Sequence, residues 1–368
     1  MVSNLERIER IKSWFLGKSS LPFKAVLIPT NRCNLNCPYC PNALPRSENL
    51  FKSEDELSKK EWEKCVKEGL ELGIKEWSII GGGEPLLRKG TVIPLVEIIK
   101  KYDTDCEIIT NGTLLEKDDI KKLVEIGIDR ILFSIDGPNA KIHDSLRGVK
   151  GAFKKVKRNI EFLSKLKKKF KKEKPYIKIN MVLSKANFKK IDEMVKFVKK
   201  IGGNELALHP MREYYKLPLL KSFLLKDSLE NDLKESIEKA KILAEKLKIF
   251  LNTDMVRIEK NVQKKEKKIY HSILMRKINK CNCFEPFYTI LIDPNGFVAG
   301  CSPAGKGIKS LNVKEKSLKE IWFSEELSQV RKKIMAGQQF NYCSKCGLTD
   351  MRMRIKNDLL ESVKNEKV

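Results

Sequence analysis

Between residues 24 and 213, short β-branched runs alternate with longer stretches whose apolar residues recur every three or four positions. The runs are Ala25–Pro29, Glu76–Ile80, Cys106–Thr110, Arg130–Ile135, Tyr176–Leu183 and Glu205–His209. The intervening stretches carry the helix period. Ser53–Leu72, for instance, opens on a Ser53-x-x-Glu56 capping box and turns Trp62, Val66 and Leu70 to one face. Strand–helix alternation over short links predicts parallel strands joined by right-handed crossovers. Six such units make an α/β fold, a partial (βα)6 TIM-like barrel open on one side, with a small C-terminal α+β module after it. The expected divisions are a helical extension at 1–20, the barrel at 21–213 and a helical linker or lid at 214–280. A cysteine-bearing module at 281–350 and a polar tail at 351–368 complete the chain. The lid is read from charged helical patterns around Leu225–Lys248 and Val256–Lys268.

In (βα) barrels the chemistry sits on the loops that follow the strands. Here the unusual residues fall on those loops. Asn31 to Cys40 follow the first run, Gly81-Gly82-Gly83-Glu84-Pro85 the second and Asn111-Gly112 the third. Ser134 and Asp136 end the fourth, on one face of a strand; Ser184 and Asn187 follow the fifth, His209 and Arg212 the sixth. Six sets on one rim predict an active site.

Cys33, Cys37 and Cys40 are spaced C-x3-C-x2-C and offer three thiolates where an iron–sulfur cube ordinarily takes four. A metal centre one ligand short keeps an open position for chemistry. A zinc knot or three buried thiols is the alternative, although no further Cys or His lies close in sequence. A second set follows. Cys283 and Cys301 flank a hairpin pattern, Phe287–Ile292 and Phe297–Gly300 around the turn Asp293-Pro294-Asn295-Gly296. A helix is expected near Leu318–Met335, and then Cys343-x-x-Cys346. Four thiolates form a closed set that suits zinc or a cube, with Cys281 an alternative to Cys283. Cys65 and Cys106 read as buried bystanders.

The first cysteine loop, with aromatic Tyr39 before its last cysteine, resembles the signature of the radical S-adenosylmethionine (SAM) enzymes. The resemblance extends over about residues 24 to 350. It implies a [4Fe-4S] cluster on Cys33, Cys37 and Cys40, SAM chelated at the open iron, and reductive release of a 5′-deoxyadenosyl radical that abstracts hydrogen from a substrate. It also implies SAM contacts for Gly82, Gly83, Glu84 and Pro85 at the amino group, and for Ser134 and Asp136 at the ribose and methionine moiety. Arg147, in His143-Asp144-Ser145-Leu146-Arg147-Gly148, would pair the SAM carboxylate. Asn111 and Asn187 would lie near the adenosine, and His143 receives no chemistry.

The hairpin half of the C-terminal module resembles the SPASM domain of radical SAM peptide maturases. This chain lacks the full seven-cysteine pattern and so looks like the shortened twitch form, implying one auxiliary [4Fe-4S] cluster on Cys283, Cys301, Cys343 and Cys346. Implied partners are a peptide or small-molecule substrate and an electron donor such as ferredoxin or flavodoxin. Two other readings remain: a tRNA-modifying radical SAM enzyme with a zinc knuckle, and a non-enzymatic iron–sulfur electron carrier.

Composition adds limits. Hydrophobic and charged contents of 41% and 33% suit a globular chain. No apolar run approaches a membrane span, and the start is amphipathic with no cleavage site, so a cytoplasmic location is expected. Ten cysteines there point to metal or catalysis. The net charge of +26 fits a nucleic-acid partner or a lysine-rich thermophile habit. In 154–174, Val156, Ile160 and Leu163 form an apolar stripe that leaves the lysines as a solvated face, which favours the second.

Overall fold

A computed structural model describes residues 4–40, 55–211, 219–256, 272–301, 310–340, 343, 346 and 349–365. An N-terminal helix, α1 (Asn4–Phe15), precedes β1 (Lys24–Leu27). Then follow α2 (Lys59–Glu71), β2 (Glu76–Ile79), α3 (Lys89–Ile99), β3 (Asp105–Thr110), α4 (Lys117–Ile126) and β4 (Arg130–Ser134). The series continues through α5 (Ala140–Arg147), α6 (Ala152–Lys169), β5 (Tyr176–Leu183), α7 (Ile191–Ile201) and β6 (Glu205–Pro210). All six strands pair in parallel with their neighbours, in chain order. The helix-facing side chains, among them Ile108, Phe133, Ile179 and Leu206, join Trp62, Val96, Ile160 and Val198 in one buried core.

The helix expected from Ser53 begins later. Its capping box is Ser58 with Glu61, and the earlier candidate Ser53 lies outside the described residues. Both serines satisfy the same local pattern, and tertiary contacts choose between them. The Leu57 amide is held by the Pro294 carbonyl at 2.7 Å, and Glu56 is engaged with the cysteine loop, so the chain before Ser58 has no helical partner.

Of the segment read as a lid, 214–280, residues 230–252 instead join the barrel wall. It holds α8 (Leu220–Phe223), α9 (Glu230–Leu247), β7 (Phe250–Asn252) and α10 (Ile273–Lys280). Ile237, Ala240 and Ala244 bury α9 in the main core, and β7 adds a seventh parallel strand beside β6. The second helical pattern proposed there, Val256–Lys268, falls outside the described residues apart from Val256.

The C-terminal hairpin is β8 (Thr289–Ile292) and β9 (Val298–Ala299), turned by Asp293, whose carboxylate accepts the Asn295 and Phe297 amides at 2.9 Å each. β8 pairs in parallel with β1, so the sheet runs β7-β6-β5-β4-β3-β2-β1-β8-β9 and stays open. The single helix expected at 318–335 is two, α11 (Leu318–Trp322) and α12 (Glu325–Met335), because Ser324 caps the second. The polar tail is also corrected. Its described residues belong to α13 (Thr349–Asn365), and Ile355, Leu359, Leu360 and Val363 enter a second core with Ile8, Ile11 and Phe15 of α1, Met275 and Ile278 of α10, and Phe284 and Phe287. A 3.6-residue stripe only four residues wide is easily lost among the charges around it.

Candidate active site

The loop after β1 carries Cys33, Cys37 and Cys40, and three other loops brace it. The first is the glycine turn after β2. Gly83 donates its amide to the Thr30 carbonyl at 3.1 Å, and Glu84 donates to Arg32 at 2.8 Å. A Cβ on Gly82 would lie 1.9 Å from Asn31 Oδ1, and one on Gly83 1.9 Å from the Arg32 carbonyl. Glycine is needed there for close approach. Pro85 is buried at the start of the 3₁₀ turn that leads away.

Glu84 is buried, and its two oxygens accept the Leu86 amide (3.0 Å), the Thr110 hydroxyl (2.7 Å) and the Asn111 amide (2.7 Å). Burial raises its pKa above the ordinary carboxylate value, and these donors oppose the rise. Asn111, after β3, reaches the cysteine loop itself by donating from Nδ2 to Asn34 Oδ1 at 2.9 Å, while Asn34 donates to Thr113 Oγ1 at 2.8 Å. From below, Glu56 accepts the Thr30 hydroxyl at 2.5 Å and pairs with Arg32 at 3.3 Å.

The third brace comes from the end of β4 and from α5. Asp136 is fully buried. Its Oδ1 accepts the Val182 amide at 3.0 Å, while Oδ2 accepts the Tyr39 hydroxyl at 2.5 Å and lies 2.9 Å from Arg147 Nε. That last contact is an ion pair whose N–H is not aligned for a hydrogen bond. The Arg147 carbonyl accepts the Asn36 amide at 3.2 Å. Gly148 allows this approach: a Cβ there would meet the Asn36 carbonyl at 2.0 Å. Burial disfavours the Arg147 charge, but Asp136, Tyr39 and Cys37 outweigh it and raise its pKa.

The remaining expected residues sort differently. Ser134 is half-buried at the end of β4. Asn187 pins its own loop, donating to the carbonyls of Asp136 and Val182 at 2.8 Å each. His143 accepts the Asp136 amide at Nδ1, its Nε2 is buried without a partner, and burial lowers its pKa to about 4. His209 Nε2 lies 3.3 Å from Asn180 Oδ1, and Arg212 is outside the described residues. Cys65 and Cys106 are buried, the first with its pKa pushed up to about 12 by burial.

Sequence reasoning passed over Asn34, Glu56 and the Tyr39–Asp136 bond, since each pairs residues 25 to 97 positions apart.

In the C-terminal module Cys343 and Cys346 share a turn, with the Cys346 amide on the Cys343 carbonyl at 3.2 Å. Cys283 borders the second core, and the Cys281 thiol donates to the Cys283 carbonyl at 3.0 Å. Among the described residues, no three Cys, His, Asp or Glu side chains gather as ligands of one metal ion. A single zinc draws thiolates onto bonds of about 2.3 Å, whereas each thiolate of a cube takes its own iron. The cysteine loop fits a cube in its donor chemistry: three thiols, one exposed, with the charge of buried Arg147 favouring the Cys37 thiolate.

Residues 27–198 match the radical SAM superfamily, and residues 281–347 match the SPASM iron–sulfur cluster-binding domain. The chain carries a radical SAM domain followed by a SPASM domain. The cofactors of that family are a [4Fe-4S] cluster with SAM in the barrel and auxiliary iron–sulfur in the SPASM domain. An AdoMet-dependent heme synthase of Methanosarcina barkeri is 36% identical over 178 residues, 47% of this chain and 46% of that protein. This radical SAM chain thus spans about half the length of that relative. A PqqA peptide cyclase of Methylocella silvestris is 26% identical over 80% of this chain and 72% of its own. In fold, SuiB of Streptococcus suis superposes with a TM-score of 0.64 at 19% identity, over 90% of this chain and 72% of SuiB. Native anSMEcpe with bound AdoMet gives 0.60 at 18% identity, over 94% and 100%. Among the described residues no helix is long and apolar enough to cross a membrane.

Proposed function

We propose that this chain cleaves SAM reductively and uses the resulting radical to modify a peptide. When bound, the cluster and SAM supply a 5′-deoxyadenosyl radical that abstracts hydrogen from the substrate. Cys33, Cys37 and Cys40 would hold the cluster. Gly82, Gly83 and Pro85 would present backbone at the SAM amino group, with Glu84 bracing them from behind. Ser134 would face the ribose, Arg147 the SAM carboxylate, and Asn111 and Asn187 would keep the rim in register. Cys283, Cys301, Cys343 and Cys346 would hold the auxiliary cluster.

The observation that carries this reading is the cysteine loop braced by the glycine turn, Asn111 and Arg147 on one rim. Support for a peptide comes from the peptide cyclase match across 80% of the chain, and from the likeness to SuiB and anSMEcpe, each of which has been crystallised with a peptide. The heme synthase match is stronger in identity but extends over less than half of the chain, so it speaks for shared SAM chemistry more than for a shared substrate.

The test is anaerobic reconstitution, reduction and addition of SAM. Release of 5′-deoxyadenosine that Cys33→Ala abolishes supports the reading; no release from iron-loaded protein sinks it and favours an electron carrier. About eight irons per chain are expected with two cubes, and about four if the C-terminal site holds zinc.

A further inference from the structure

The inference concerns Phe223 of α8, and it rests on the cluster reading above. Tyr39 lies between Cys37 and Cys40 and is held at two points. Its hydroxyl donates to Asp136 Oδ2 at 2.5 Å, and its ring meets the Phe223 ring edge-on, with centroids 6.1 Å apart and planes at 70°. Phe223 is itself fixed. Its carbonyl accepts the Lys185 amide at 3.0 Å, and Leu220, one turn earlier in α8, is buried. Lys185 belongs to the loop after β5. There Asn187 accepts the Ser184 amide at 2.7 Å and donates to the Asp136 carbonyl at 2.8 Å. The contacts close a circuit: Asp136 to Tyr39, Tyr39 to Phe223, Phe223 to the loop at 184–187, and that loop back to Asp136.

We propose that Phe223 is a positioning residue that walls in the Tyr39 ring and so fixes where Cys37 and Cys40 present their sulfurs. A hydroxyl bond alone leaves a tyrosine free to swing about that anchor, and a second contact on the ring removes the freedom. Tyr39 sits within the tight turn that the two cysteines share, where the Cys40 amide bonds the Cys37 carbonyl at 2.9 Å. Movement of the ring therefore moves the turn. A cluster held by three thiolates has no fourth to keep it in place when the turn shifts, and the open iron shifts with it. Edge-on aromatic pairs are favourable because the positive rim of one ring meets the negative face of the other, so position 223 needs a ring and not only apolar bulk.

The test uses full-length protein in two states. In cluster-free protein, amide hydrogen exchange across residues 33–40, read by mass spectrometry, runs roughly three- to tenfold faster in Phe223→Ala, the range expected from losing one aromatic pair. Exchange in β1 to β4 stays at the wild-type rate, and Phe223→Tyr returns the loop to it. In iron-loaded, reduced protein, the SAM concentration that half-converts the barrel cluster's EPR signal rises by a similar factor. Unchanged exchange at 33–40, or a rise spread through the barrel strands, overturns the proposal. An unmoved SAM half-point overturns it as well. Should Phe223→Ala fail to fold, Phe223→Leu, which keeps apolar bulk without a ring, is read against Phe223→Tyr in the same way. Wild-type protein that binds no iron on the barrel cysteines defeats the functional reading itself. Iron-loaded protein with unmoved exchange and SAM half-point defeats this inference alone.

Discussion

At the scale of single residues, the site is held by hydrogen bonds that reach the cysteine loop from three directions, and each has a measurable cost when removed. Glu84→Gln places an amide N–H₂ against one of three N–H or O–H donors, since an amide offers one accepting oxygen where the carboxylate offers two. One donor is left buried and unmatched, and a loss of about 1–3 kcal/mol in urea unfolding of the cluster-free protein is expected. Gly83→Ala acts without any change of charge. Its Cβ meets the Arg32 carbonyl at 1.9 Å, so the turn must withdraw from the loop, and barrel iron measured after reconstitution should fall while secondary structure by circular dichroism is kept. The histidines predict a pH dependence. Burial lowers His143 and His209 each to about 4, from an ordinary value of 6.5. Both are neutral when folded and take up protons first in the unfolded chain. Their contribution is therefore complete above about pH 6.5 and is lost as pH falls toward 4. Urea unfolding between pH 7 and 4 should show that decline, and His143→Gln with His209→Gln should flatten it.

Among the elements, the joint between α1 and the C-terminal helices depends on one buried cation. Arg331 of α12 lies between the indoles of Trp14 and Trp322, with its guanidinium carbon 4.4 and 4.1 Å from the ring centroids. It donates to the carbonyls of Pro286 and Trp322 at 2.9 Å each. Burial lowers its pKa to about 9, and no carboxylate lies among these contacts to oppose the shift. Arg331→Met keeps much of the volume but strands two carbonyls and removes the cation–π contacts. A loss of about 2–4 kcal/mol is expected, followed by the fluorescence of Trp14 and Trp322 during unfolding. Lysine is no substitute, since a compact ammonium cannot stack flat on two rings.

For the whole molecule, the barrel and the C-terminal module form one sheet. β8 pairs with β1, the strand that delivers the cysteine loop, and the turn after β8 holds the chain just before α2 through Pro294 and Leu57. The two ends of the chain close a second core together, α13 against α1 and α10. A chain stopped after residue 348 would uncover the buried faces of Ile8, Ile11 and Phe15. At about 25 cal/mol per Å² of apolar surface, even a few exposed side chains rival the net stability of a domain. Truncated protein should be recovered mainly as aggregate, judged by size-exclusion chromatography; a monodisperse product of wild-type melting temperature would contradict this.

Local pattern was enough for the six barrel strands, the helices between them and the rim where their loops meet, because alternation and helix period are written within a few residues of each other. The cysteine spacing was legible for the same reason. Contacts distant in sequence had no local trace. Ser58 took the capping role from Ser53 because Pro294 and Thr30 had claims on the chain before it. The supposed lid became a seventh strand because β6 had an open edge. The supposed tail became a core helix because α1 left an apolar face uncovered. Asp136, which the family resemblance assigns to SAM, is surrounded by protein donors that only folding assembles. A sequence displays periodicity and spacing directly, but which side chain satisfies a buried charge depends on which elements pack against it.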